Sequence, residues 1–82
     1  MAKILIIEDD LEINALLADF LKEKGYVVHC QYDGLHVLDF LNKEKIDLII
    51  LDIMLPYRSG DIILSDIRNQ FTLPVIIISA QE

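Results

Sequence analysis

Cysteine occurs once in this sequence, as Cys30, so no intramolecular disulfide is available. Small secreted domains ordinarily depend on such cross-links, and the single thiol, set among Val27, Val28 and Tyr32, reads as a small buried hydrophobe of a cytoplasmic protein. No apolar run approaches the roughly 20 residues that span a bilayer, so no membrane segment is expected. Met1-Ala2-Lys3, the apolar Ile4 to Ile7 and the acids after them are too short and wrongly flanked for a signal peptide. Basic residues are scarce: seven Lys and Arg stand against fourteen Asp and Glu, a net charge of −7. Without a Lys/Arg cluster the segment has no means of neutralising a phosphate backbone, which excludes direct nucleic-acid contact. A bound cation is the natural partner of the surplus acids. There are no repeats and no Gly/Ser/Pro-rich linker, and 82 residues form one domain unit at most.

What the chain has in abundance is aliphatic residues, the hydrophobic fraction being 54%. Ile4-Leu5-Ile6-Ile7, Leu48-Ile49-Ile50-Leu51 and Val75-Ile76-Ile77-Ile78 are short continuous runs rich in β-branched side chains. Such runs fit strands buried on both faces, as in a parallel sheet. Tyr26 to Tyr32, interrupted by His29 and Gln31, suits an edge strand. Helical spacing places Ile13, Leu16, Leu17, Phe20 and Leu21 on one face, with Asp10 as N-cap and Gly25 past the end. Asp33 is placed to cap a second helix carrying Val37, Leu38 and Leu41. Asp61 is placed to cap a third carrying Ile62, Ile63, Ile67 and Phe71, and Pro74 bars helix before the last run. The order is βαβαβαβ, which right-handed crossovers wind into an incomplete doubly wound α/β sheet of strand order 2-1-3-4.

In that order the first helix covers one face alone, while the second and third cover the other. The run Val75 to Ile78 reads as a central strand, yet only Ser79, Ala80, Gln81 and Glu82 follow it. One face is then half bare and the last strand is an open hydrophobic edge. The expectation is a chain truncated after its fourth strand, with a fifth strand and further helices absent. Self-pairing into a homodimer is expected of such a piece.

Glu8 and Asp9 end the first strand, with Asp10 beside them, and Asp52 ends the third. Order 2-1-3-4 makes those strands neighbours, so the carboxylates converge at the C-terminal edge, where open α/β sheets bind ligands. Three carboxylates in one pocket repel each other, and one takes up a proton unless a cation is present. Mg²⁺ suits a few carboxylates plus waters, and Asp52 can serve as an oxygen nucleophile toward an activated phosphate. Ser79 ends the adjacent fourth strand, where a hydroxyl can hydrogen-bond a phosphoryl oxygen and draw its strand end inward. Singly, each residue has a bland explanation: a strand-end acid is ordinarily a cap or a solvated turn residue, and a strand-end serine an ordinary hydroxyl. Acids on adjacent strand ends with Ser79 on the next make a site the better reading. His29 and His36 read as surface residues, since they lack partners for a metal site.

At these residues the chain resembles the receiver domains of two-component response regulators over its whole length. The resemblance rests on Ile4-Leu5-Ile6-Ile7-Glu8-Asp9-Asp10, Asp47-Leu48-Ile49-Ile50-Leu51-Asp52-Ile53-Met54-Leu55-Pro56, Ser59-Gly60 and Pro74-Val75-Ile76-Ile77-Ile78-Ser79-Ala80. The Glu-Asp pair and the Met-Leu-Pro run look most like the OmpR/PhoB group, whose members usually carry a C-terminal winged-helix DNA-binding domain. The resemblance implies a flavodoxin-like (CheY-like) fold and a phosphoacceptor rather than an enzyme, with at most self-catalysed phosphoryl transfer and autodephosphorylation. It implies phosphorylation of Asp52 by a sensor histidine kinase, and Mg²⁺ held by Glu8, Asp9, the Asp52 side chain and the Met54 backbone carbonyl. It matches Ser79 to the family's Ser/Thr switch position and leaves DNA binding to a missing output domain. The family's fifth-strand lysine, its aromatic switch residue and the dimerisation face beyond them have no counterpart here, which favours, as the alternative, a signalling-incompetent fragment that mainly self-associates.

Two other classes are distinguishable. A phosphohydrolase working through an aspartyl phosphate typically wants a second Asp two residues after the nucleophile, where this chain has Met54. A flavodoxin-like cofactor binder needs a Gly/Ser/Thr-rich loop after the first strand, where this chain has Glu8-Asp9-Asp10.

Overall fold

Residues 1–79 are described by the structure, a computed structural model. The aliphatic runs form strands β1 (Lys3–Ile7), β3 (Leu48–Asp52) and β4 (Val75–Ile78), and the mixed segment forms β2 (Val27–Gln31). Between them lie helices α1 (Leu11–Glu23), α2 (Val37–Lys43) and α3 (Gly60–Gln70). All pairings are parallel, in the order β2-β1-β3-β4. The two innermost strands are the most buried, with four of five residues buried in each, as fits strands covered on both faces.

Side-chain alternation along the strands divides the core into two layers. Leu5, Ile7, Ile49 and Leu51 point to one face, where Val37 and Leu41 of α2 and Ile63 and Ile67 of α3 pack on them. Ile4, Ile6 and Ile50 point to the other, under Ala18 of α1. The expected split, α1 on one face and α2 with α3 on the other, is the observed one. β2 lies at one edge with every residue half-buried. β4 lies at the other edge, where Val75 and Ile78 contact the two core layers while Ile76 and Ile77 remain about half-exposed. Burial raises the pKa of the Cys30 thiol, in keeping with an inert, half-buried packing residue.

Local signals held at α1 and shifted at α2. The Asp10 side chain accepts the Ile13 N–H at 3.0 Å, an N-cap, and Gly25 at φ 94° follows the last turn in a conformation costly for a side chain. Asp33 does not cap α2: its carboxylate accepts the Leu35 N–H at 3.0 Å, closing a local turn, and the helix begins at Val37 after an N-cap at His36. Asp61 likewise lies within the first turn of α3, after an N-cap at Ser59, and there its charge complements the helix dipole. Of the residues read as the α3 core, Ile63 and Ile67 are buried and Ile62 is exposed.

The larger correction concerns α1. Leu16 is 72% exposed and Phe20 57%, whereas Asn14 and Ala18 are buried with Ile13, Leu17 and Leu21 partly covered. The helix therefore lies rotated from the face that hydropathy alone selects, and the buried polar Asn14 is the reason. Its Nδ2 donates to the Glu8 carbonyl at 3.0 Å and the Gln31 carbonyl at 3.3 Å, fastening α1 across the ends of β1 and β2. Truncating Ile67 to Ala is expected to cost about 2–5 kcal/mol in urea denaturation, as for other large core residues. Leu16→Ala should stay within about 0.5 kcal/mol of the parent, as exposed positions do; a core-sized loss there would overturn this orientation of α1.

Candidate functional site

β1 and β3 run side by side with Ile7 opposite Leu51, so the residues that follow, Glu8 and Asp52, leave the sheet together. The chain could not separate them without slipping register and turning every core side chain to the wrong face. Oxygen atoms from Glu8, Asp9 and Asp52 lie within 4.8 Å of one another. Glu8 is 1% exposed and Asp52 2%, while Asp9 is open to solvent. Backbone donors hold the buried pair: Glu8 Oε2 accepts the Asp10 N–H at 3.0 Å, and Asp52 Oδ1 accepts the Met54 N–H at 3.0 Å. The Met54 side chain itself is exposed.

Two buried carboxylates this close are electrostatically unfavourable. Burial, together with its hydrogen-bonding and charge interactions with Asp52, pushes the Glu8 pKa from 4.5 up to about 7, against the lowering effect of the Asp10 N–H. Glu8 Oε1 is buried with no donor among the described residues. A proton shared with Asp52 or a cation between the two would satisfy it. The donor set is all oxygen, mixes buried and solvent-facing carboxylates and leaves room for water, which fits a hard divalent cation such as Mg²⁺.

The loop after β3 builds one wall of the site. Gly60 N–H donates to the Ile53 carbonyl at 2.9 Å and closes the loop at its base. A Cβ at Gly60 would stand 2.5 Å from the Ile53 Cα and 2.8 Å from the Asp52 carbonyl oxygen, backbone atoms that cannot yield. At the apex, Arg58 N–H donates to the Pro56 carbonyl at 2.7 Å around Tyr57, whose φ is 69°. This is a γ-turn of the strained hand, a conformation costing on the order of 1–3 kcal/mol for a residue with a side chain. Arg58 pairs with Asp66 of α3 and ties the apex down. An open groove of about 600 Å³ runs along this loop and is lined by Asp9, Met54, Tyr57 and Ser59 among others.

Ser79 lies one residue beyond Ile78, which is opposite Asp52 in the β3–β4 register, and Ile53 N–H donates to the Ile78 carbonyl at 3.1 Å. It therefore sits at the same edge of the sheet as the acids. Asn14 is the site's supporting residue that hydropathy and motif reading passed over, and Gly60, quoted within the motif, has a packing role that the motif does not reveal. A polar residue on the stripe Asn14, Ala18, Leu21 was the available signal for the first.

With this geometry in view, the family model of the response regulator receiver domain matches residues 4–82. Solved structures agree. The chain is 32% identical to the BeF₃-activated receiver domain of RstA from Klebsiella pneumoniae, covering 98% of this chain and 68% of that one at a TM-score of 0.92. It is 31% identical to the response regulator TrrA of Thermotoga maritima, solved with Mg²⁺ and BeF, covering 100% of this chain and 72% of that one at a TM-score of 0.92. A two-component response regulator from Clostridium difficile gives 32% identity, the same full coverage here, 68% there and a TM-score of 0.94. The chain belongs to the response regulator receiver domain family, the phosphoacceptor modules of two-component signalling. No helix among the described residues is long and apolar enough to cross a membrane.

The raised Glu8 pKa fixes a sign for the pH dependence. The unfolded carboxyl loses its proton near pH 4.5 and the folded one near 7, so the folded chain holds more protons in between. Stability from this group is present below pH 4.5 and falls as pH rises to about 7. In EDTA, Glu8→Gln is therefore expected to flatten this fall and to gain stability relative to the parent between pH 5 and pH 8, compared by urea denaturation at about those two values. Mg²⁺ should restore the parent at the higher pH and do less for the variant. A difference between the two chains that does not change with pH would overturn this reading of the pair.

Proposed function

We propose that this chain receives a phosphoryl group on Asp52 from a sensor histidine kinase, in a Mg²⁺-dependent reaction, and relays it to an output domain elsewhere in its polypeptide. The observation that carries the proposal is the buried Asp52 carboxylate beside buried Glu8 and exposed Asp9 at the C-terminal edge of the sheet. Asp52 Oδ1 is fixed by the Met54 N–H, so the side chain is aimed before the donor arrives. A carboxylate oxygen attacks phosphorus, the new P–O bond gives an acyl phosphate, and the bond to the leaving group breaks with its electron pair.

Glu8, Asp9, the other Asp52 oxygen and the Met54 carbonyl are the ligands proposed for Mg²⁺. When bound, the ion offsets the carboxylate repulsion and the charge of the phosphoryl oxygens. That TrrA was solved with Mg²⁺ and BeF supports this assignment. Ser79 is assigned the hydrogen bond to a phosphoryl oxygen and the role of switch, from its place beyond Ile78. Autodephosphorylation by water at the same phosphorus is the accompanying activity, so the chain is a phosphoacceptor and not a turnover enzyme. The output domain is assigned to DNA binding and transcription regulation in the cytoplasm, in line with the OmpR/PhoB resemblance and the acidic character of this segment.

A second reading concerns self-association. β4 is an edge strand among the described residues, and Ile76 and Ile77 present apolar surface on both of its faces. Such an edge pairs readily with another copy, so the isolated 82-residue chain is assigned a homodimer. A monomer by light scattering at micromolar concentration would contradict it.

Intact-mass spectrometry after incubation with acetyl phosphate and Mg²⁺ tests the main proposal. One phosphoryl adduct is expected on the parent chain and none on Asp52→Asn or on the parent in EDTA. An adduct that persists on Asp52→Asn would move the acceptor to another residue and overturn the assignment.

A further inference from the structure

Tyr57 has the geometry of a residue held for contact with something outside the chain. It is 82% exposed, yet its backbone is fixed in a strained γ-turn that glycine would adopt more easily. The loop beneath it is clamped three times, by the Gly60–Ile53 hydrogen bond, by the Arg58–Pro56 hydrogen bond and by the Arg58–Asp66 ion pair. Nothing in the core requires a tyrosine there. Its residue does, however, line the same groove as Asp9, a carboxylate clustered with Asp52, which places position 57 at the rim of the site.

The chemistry of the groove discriminates between leaving groups. Its charged lining residues are Asp9 and Arg58, and the arginine is neutralised by Asp66, so the wall offers net negative charge and apolar surface from Met54, Leu55 and Pro56. A leaving acetate carries a negative charge into that field. A leaving imidazole protonated on its far nitrogen departs neutral and presents a flat aromatic ring suited to stacking or edge contact with tyrosine.

We propose that Tyr57 is a specificity-determining residue, whose ring contacts the imidazole of a phosphohistidine-type donor and favours it over an acyl phosphate. The proposal rests on the phosphoacceptor reading of Asp52. In the step concerned, the Asp52 oxygen forms the P–O bond, the P–N bond breaks, and its electron pair stays on the imidazole nitrogen, which leaves as neutral imidazole.

The test uses monophosphoimidazole and acetyl phosphate as donors, each with Mg²⁺, and reads the ratio of the two labelling rates by intact mass. Tyr57→Gly relieves the turn and removes the ring, Tyr57→Asn removes the ring but keeps a Cβ, and Tyr57→Phe keeps the ring. The phosphoimidazole-to-acetyl-phosphate ratio is expected to fall about three- to tenfold in the glycine and asparagine variants and to hold in the phenylalanine variant, the size of one aromatic contact. A ratio unchanged in Tyr57→Gly, including a parallel fall with both donors, would overturn the proposal and leave Tyr57 a purely structural residue. A parent chain labelled by acetyl phosphate alone would also overturn it, with the phosphoacceptor reading intact. A parent labelled by neither donor would bring down that reading and this one together.

Discussion

Two carboxylates that the sheet forces into one buried corner set the terms for the rest of this molecule. β1 and β3 must pair in register to seal Leu5, Ile7, Ile49 and Leu51 in one layer and Ile4, Ile6 and Ile50 in the other. That register delivers Glu8 and Asp52 to adjacent positions with almost no exposure to water. Apolar burial on this scale outweighs the repulsion of one acidic pair, so the fold tolerates the conflict and does not relieve it. The backbone N–H groups of Asp10 and Met54 each hold one oxygen, and Glu8 Oε1 is left for a proton or a cation.

The surrounding elements make sense as supports for that corner. Asn14 spends both of its donor hydrogens on carbonyls at the ends of β1 and β2, which rolls α1 until Leu16 and Phe20 face outward. On the other side, α3 can start close enough to β3 because residue 60 has no Cβ. Both devices exchange generic packing for position: the first places polar groups in a core, and the second gives up a side chain at a helix start. Positional precision of a few tenths of an ångström at reacting groups is the usual reason such exchanges persist.

The sheet order and the meeting of Glu8, Asp9 and Asp52 could be read from the linear chain, because runs such as Ile4 to Ile7 fit parallel strands separated by helices, and strand order then dictates which ends meet. The orientation of α1 could not. Ile13, Leu17 and Leu21 belong equally to a stripe completed by Leu16 and Phe20 and to one completed by Asn14 and Ala18, and hydropathy prefers the first. The second is the observed one because the buried Glu8 carbonyl at the end of β1 takes its donor from the Asn14 amide, a demand visible only in three dimensions. The start of α2 failed for a related reason: the Asp33 carboxylate has a choice of nearby N–H groups, and the one on Leu35 wins. The turn at Tyr57 has no signal at all, since tyrosine carries no preference for positive φ.

Coupling between the acid corner and the remainder of the chain follows from where the structure is strong and where it is thin. β1 and β3 are buried on both faces, whereas β4 keeps Ile76 and Ile77 about half-exposed and is paired on one side only among the described residues. Any ligand that satisfies Glu8 and Asp52 binds the folded state and not the unfolded one, and so adds its binding free energy to stability. It adds it at an edge shared with the thin strand, through the backbone link from Ile53 to Ile78. Asp52 and Ile78 are register partners, so that link joins β4 directly to the acid corner.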